Sequence, residues 1–506
     1  MSNDQHDFPE GLYNSSEALS LVQLLQPATR AQPQGSPDDF VQPKGGEIAA
    51  ADYHHFIFGQ RGSGKSSLLR YLQRDLRDNG RASIWIDQQI YSNLSYPDVL
   101  VSAVLEVMKG LTEAVHNKIN PKMPRWKQLL KRIPADQKRL LVRLQHSVNQ
   151  LEALRFAPID RRVEWTVSYE KNSDAGMSAG AKVEIVSLGV KANKGSKSGT
   201  VASEVVEGTK DQYLERALTE FRDLITRSVT LVSGGFIFVD DLYQIARSDQ
   251  PEVLGYLHRL VKDTGLWLKI GSIRYSTVTY IPGDPPRGMQ IGHDAHEVAL
   301  DRGLQYFRSA QEFLELIVSK VTKKANVDFE LLFTEDARKR LVLAAGGVAR
   351  DYLRLVSGAI TEARNRGVSE KSGSQRVMVE DVNKAAGTIA PSKLEDLKVD
   401  EPAEAQALEG LVREITEFCR DRKSAYFLVA RDEVELKEQI NKLQNLRFTH
   451  LLFENETIPD RASQRFDVWL LDVAELSAQR ATQGIDFLNW EKREKRRNRR
   501  LIYSRK

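Results

Sequence analysis

Residues 56–69 read FIFGQRGSGKSSLL, and this stretch decides the fold. The apolar end of a strand runs into a glycine-rich turn, then a lysine, two serines and an amphipathic helix. Gly59, Gln60, Arg61, Gly62, Ser63, Gly64, Lys65 and Ser66 fit the Walker A pattern G-x-x-x-x-G-K-[ST], the P-loop, placed where its mechanism requires it, between a strand and a helix. Its glycines let backbone N–H groups converge on phosphate oxygens at a helix N-terminus. Lys65 then reaches the β and γ oxygens, the Ser66 hydroxyl is a Mg2+ ligand, and Ser67 completes the expected ATP-binding set.

A P-loop needs a second motif, an apolar strand ending in a carboxylate, and GGFIFVDD supplies it at Asp240 and Asp241. Asp240 is expected to hold the metal through water, as in Walker B, and Asp241 stands where a base that activates water belongs. An aspartate is shorter than the more usual glutamate, which permits hydrolysis and leaves slow turnover open. The bland alternative is that the two aspartates cap the next helix.

At 506 residues the chain is too long for one core, so two or three domains are expected. No window approaches the roughly 18 apolar residues of a spanning helix, and the first residues lack a signal-peptide layout, so a cytoplasmic protein with no membrane association is expected. The lone Cys419 excludes an internal disulfide and reads as a small core residue. The net charge of +4 is local: residues 488–506 carry nine Lys and Arg against two Glu, which leaves the remainder at −3.

The pattern predicts an α/β P-loop core over 51–310, after a mobile leader (1–50) around one docked helix capped by Ser15 or Ser16. Alternating segments at 162–208 predict a β-hairpin or small sheet inserted into the core. Helices follow to about 390, then a polar, acidic linker (391–405). The segment 406–480 reads helix, strand, helix and a final hairpin, as a winged helix would. The run EKREKRRNRR in the 488–506 tail predicts a solvated segment that binds phosphate backbones without reading sequence.

The order of these motifs resembles the AAA+ ATPases of the origin-recognition and initiator clade, and is similar to the related STAND switch ATPases. That resemblance implies a helical lid over 311–390 and a C-terminal winged helix. In GGVARD it implies that Arg350 acts from the lid as a sensor of the γ-phosphate. In LWLKIGSIRYST it puts Arg274, or else Ser272, at the sensor position on the strand next to Walker B. An arginine finger for a neighbour's nucleotide would be Arg287 or Arg302, which implies a homo-oligomer.

Two functions are then expected. One is an ATPase that associates with DNA through Lys127–Arg143, the region Lys191–Lys197 and the tail, using ATP to set a closed, assembly-competent state. The other is a STAND-like nucleotide switch or scaffold in signalling or anti-phage defence that recognises a protein partner or effector chain.

Overall fold

Strands β1 (His55–Phe58), β2 (Ala82–Asp87), β6 (Gly235–Asp240), β7 (Leu266–Ser272) and β10 (His296–Ala299) form one all-parallel sheet in the order β10-β1-β7-β6-β2. Every residue of β1 and β6 is buried, whereas β2 alternates buried with half-buried residues and β10 buries only Val298. This is the pattern of central strands covered on both faces and edge strands half covered. It also explains why HFIF and GFIFVD are continuous apolar runs.

The computed structural model describes residues 11–29, 40–120, 133–157, 163–169, 181–185, 202–301, 303–369, 374–400, 402–459, 461–478 and 484–505. They divide into two units: a sheet unit of Gly45–Phe58 with Leu68–Ala299, and a loop unit of Met1–Lys44, Gly59–Ser67 and Leu300–Lys506. Among the described residues no helix is long and apolar enough to cross a membrane.

In the sheet unit the core joins Phe56, Ile84, Ile237 and Ile270 of the sheet to Val104, Leu144 and Leu224 of the helices Asp98–Ile119, Ala135–Phe156 and Lys210–Val232. Buried Lys210 donates to Asp98 at 2.7 Å, tying the first turns of two of these helices together. The alternating segments form an antiparallel sheet, β4-β3-β5, from β3 (Val163–Tyr169), β4 (Ala181–Ile185) and β5 (Ala202–Gly208). A two-residue pair, β8 (Tyr280–Ile281) and β9 (Arg287–Gly288), crosses the loop before β10. Lys191–Lys197 and the start of Lys127–Arg143 lie outside the described residues.

In the loop unit the one helix expected in the leader is docked. The helix Ser16–Ala28 is capped by Ser15 Oγ, which accepts from Ala18 N–H, and Leu21 and Leu25 are buried among Phe307, Leu314 and Leu353. The helices Phe307–Ala325, Glu335–Ala344 and Ala349–Ser369 follow. The expected linker at 391–405 is a correction. The helix Val379–Asp400 runs through Pro391, because Ala390 and Leu397 bury on its inner face and Lys393 is buried against Asp472.

Next come the helix Ala405–Arg422, β11 (Tyr426–Ala430), the helix Val434–Asn445, β12 (Thr449–Ile458) and β13 (Arg461–Leu471), with antiparallel order β11-β13-β12. Cys419 is buried in this core, and burial pushes its thiol pKa up, as expected of a packing residue.

The solvated tail is a second correction. Trp490, Leu501 and Tyr503 are buried, Tyr503 N–H donates to Leu428 O at 2.8 Å, and the Arg496 guanidinium lies over the Phe453 ring while pairing with Glu456. Apolar residues spaced among the charges pin the segment to the C-terminal sheet, while Lys492, Arg493 and Lys495 stay exposed.

Candidate functional site

After Phe58 the chain turns through the P-loop, and the backbone explains its glycines. Gly62 and Gly64 have φ of +87° and +101°, left-handed values that side chains disfavour. At Gly62 there is a second constraint, since a Cβ there would lie 2.7 Å from Arg350 Cβ. Ser63 N–H donates to Gln60 O at 3.1 Å, closing the turn. Lys65 is buried, and its ammonium donates to Gly59 O (2.8 Å) and Gln60 O (3.0 Å).

Arg350 meets this loop within the same unit. It opens the helix Ala349–Ser369, its N–H donates to Gly62 O at 3.2 Å, and its Nε donates to Thr29 O at 3.2 Å. The GGVARD motif is therefore packed on the P-loop, with Arg350 also bonded to the residue that follows the helix Ser16–Ala28.

One further contact and a small cavity lie at the loop. Gln60 N–H donates to Asp301 Oδ1 at 2.7 Å. Residue 301 is exposed as a whole, yet desolvation of its carboxyl raises its pKa, with the Gln60 N–H and Lys65 pulling it down. A cavity of about 40 Å³ is lined by Gln60, Ser63, Asp301, Gly346, Gln444 and His450. Into this polar setting come Gln60 Oε1, Ser63 Oγ, Gln444 Oε1 and His450 Nδ1, buried atoms with no hydrogen-bond partner in the protein. The buried Lys65 ammonium and the Ser63 hydroxyl are donors that a polyanionic ligand at a P-loop would engage, so these residues fit a nucleotide, whereas the amide oxygens of Gln60 and Gln444 only accept and call for a donor such as water.

In the sheet unit, Asp240, Ser272 and Phe58 stand at the carboxyl ends of adjacent parallel strands, where open α/β sheets place their ligands. Asp240 is buried and Oδ1 accepts from Asp241 N–H at 3.1 Å. Asp241 has φ of +54° and precedes the turn Leu242–Gln244 without a side-chain capping bond. Capping therefore does not account for the second carboxylate. Arg70 is drawn to Asp240, although desolvation, the larger effect, lowers the pKa of its guanidinium.

Of the two residues expected at the sensor position, Ser272 closes β7 and is buried, with its Oγ 2.6 Å from Thr277 Oγ1. Arg274 lies beyond the strand in the turn Arg274–Ser276, half exposed and paired with Glu297 of β10. Arg287 is likewise an exposed partner of Glu252, at 2.7 Å. Arg302 lies outside the described residues. Among the described residues no group of three or more His, Cys, Asp or Glu forms a metal site.

A buried polar network lies behind Arg350. Arg447 Nη1 donates to both oxygens of Asp351 at 2.8 Å, Lys393 donates to Arg447 O at 3.0 Å and pairs with Asp472 at 2.8 Å, and His450 Nε2 is 2.9 Å from Asp472. Desolvation would raise Asp472, but Lys393 and His450 hold its carboxyl pKa down at about 2. The neighbouring Glu475 is raised to about 7 by desolvation and by Asp472. Compared with protein-family models and with curated proteins, the chain matches none.

Proposed function

We propose that the chain is an ATP-binding and hydrolysing ATPase of the AAA+ type that associates with DNA. The observation that carries this reading is the glycine loop itself, which links a central strand of a parallel sheet to a helix and is met at Gly62 by the helix that Arg350 opens. The helices from 307 to 400 are read as the lid. The helix, strand, helix and hairpin from 405 to 471 are read as a winged helix.

In this reading Gly59–Ser67 hold the triphosphate, with Lys65 exchanging the carbonyls of Gly59 and Gln60 for phosphate oxygens. Ser66 is read as the Mg2+ ligand and Asp240 as acting on the metal through water, which suits an ion that keeps several waters. The metal supplies charge neutralisation between phosphate oxygens. Asp241 orients and deprotonates the attacking water, Ser272 is the sensor on the strand, and Arg350 responds to the γ-phosphate by exchanging its bond to Thr29 O.

The DNA contact is assigned to Lys492, Arg493 and Lys495, presented by the anchored tail. Because their charges are fixed on a packed segment, they bind as an array and in a salt-dependent way.

The test is steady-state ATP hydrolysis with and without duplex DNA at about 50 and 200 mM salt, a range over which phosphate contacts weaken strongly. DNA-stimulated turnover that fades with salt, and is lost in Lys492→Glu/Arg493→Glu/Lys495→Glu, supports the reading. Turnover indifferent to DNA favours a STAND-like switch that recognises a protein. One feature favours that second reading: His450 of the C-terminal sheet and Gln60 of the loop line the same cavity, an arrangement suited to a protein held in one nucleotide state.

A further inference from the structure

We infer that Arg447 and Asp351 form a buried clamp that positions Arg350 against the P-loop, so that the C-terminal sheet region sets how tightly nucleotide is held. This inference rests on the nucleotide-binding reading and adds a regulatory connection to it. The stretch Gly346–Asp351 is gripped at both ends by residues from 447–450.

At one end, His450 packs on Gly346 so closely that a Cβ there would lie 2.0 Å from the imidazole. At the other, the Arg447 fork takes both oxygens of Asp351. Between the grips lies Arg350, bonded through its N–H to Gly62 O. The two grips are joined behind the stretch, because Lys393 bonds both Arg447 O and the Asp472 carboxylate that holds His450.

Both clamp residues are almost fully buried, and Arg447 adopts φ of +65°, a conformation that L-residues other than Gly, Asn and Asp rarely take. A bidentate guanidinium–carboxylate pair fixes orientation as well as distance, which a lysine at 447 could not do. Moving β12 and its preceding turn therefore moves the first turn of the Arg350 helix. Nucleotide bound at the loop, by the same linkage, biases the C-terminal region. The connection needs no contact between nucleotide and Arg447, which makes Arg447 a positioning residue.

The experiment compares release of a fluorescent ATP analogue with the melting temperature for the full chain and for Asp351→Asn, Arg447→Lys and the paired apolar replacement Asp351→Leu/Arg447→Met. Apolar replacement of a buried ion pair often preserves or raises stability. The clamp predicts faster release by on the order of tenfold in the apolar pair, with a smaller change in Arg447→Lys, and no correlation with melting temperature. Wild-type release from any folded variant that lacks the pair overturns the clamp and leaves the pair a packing feature. Failure of the unmodified chain to bind the analogue instead overturns the nucleotide reading, and the clamp with it.

Discussion

Lys65 and Lys269 are both buried ammonium groups, and each donates to two backbone carbonyls: Gly59 and Gln60 for the first, Ala51 and Tyr53 for the second. They differ in what surrounds them. Lys269 has a third partner, His55 Nδ1 at 2.9 Å, and lies 4.1 Å from the Phe236 ring centroid, so its three donors are satisfied within the protein. Around Lys65 the polar neighbours Gln60 Oε1 and Ser63 Oγ are buried without a partner in the protein. Burial of a cation alone does not mark a site. A cation beside unpaired polar atoms is the better candidate, because those atoms still require a partner from water or a ligand.

The largest expected effect breaks the comparison at its first member. Lys65→Ala lowers ATP turnover by at least about a hundredfold, the usual cost of removing one preorganised donor from developing charge. Gly59 O and Gln60 O, on buried residues, lose their donor, so turnover is counted per folded molecule. Turnover at the wild-type level would remove Lys65 from the chemistry and with it the contrast.

Lys269→Met tests the second member. It leaves Ala51 O, Tyr53 O and His55 Nδ1 without their donor and costs about 1–3 kcal/mol in denaturant unfolding, with turnover per folded molecule unchanged. A turnover defect larger than the loss of folded protein would make Lys269 functional. Its titration sharpens the point. Desolvation lowers Lys269 to about 7, with Asp52 opposing and Arg81 assisting. An unfolded lysine titrates near about 10.4. Between those values the unfolded chain binds more protons, so this group makes stability rise with pH from about 7 to about 10, by at most about 1.4 kcal/mol per unit. Lys269→Met removes that rise. Equal slopes in the two proteins would place the Lys269 proton elsewhere.

The same contrast explains what was legible in the sequence. The P-loop, the strand before it and GGFIFVDD are chain-local patterns, so residues, spacing and element type all lie within a dozen positions. The helix cap at Ser15 and the inserted antiparallel sheet were legible for the same reason. In the tail, charge density masks Trp490, Leu501 and Tyr503, which have a surface to pack on only once β11 and β12 exist. In 391–400, Pro391 and the acidic residues mask a helical face that buries Ala390, Lys393 and Leu397. Asp301 joins Gln60 across 241 positions and Arg447 joins Asp351 across 96, and no periodicity or motif encodes such pairs.

The smallest expected effect concerns Arg274. It is half exposed, already paired with Glu297, and its guanidinium lies 5.4 Å from the Phe58 ring centroid. Ser272 is buried at the strand end, level with Phe58 in the sheet register. An exposed ion pair contributes about 1 kcal/mol or less. Arg274→Ala is therefore expected to change stability within that range and turnover by less than about twofold, whereas Ser272→Val, which removes the hydroxyl at similar volume, lowers turnover more than it lowers stability. The informative reversal is a tenfold loss of turnover in Arg274→Ala with Glu297→Gln silent. In that case the arginine leaves its surface partner when nucleotide binds, and satisfaction of a side chain in one state would not suffice to exclude it from the site.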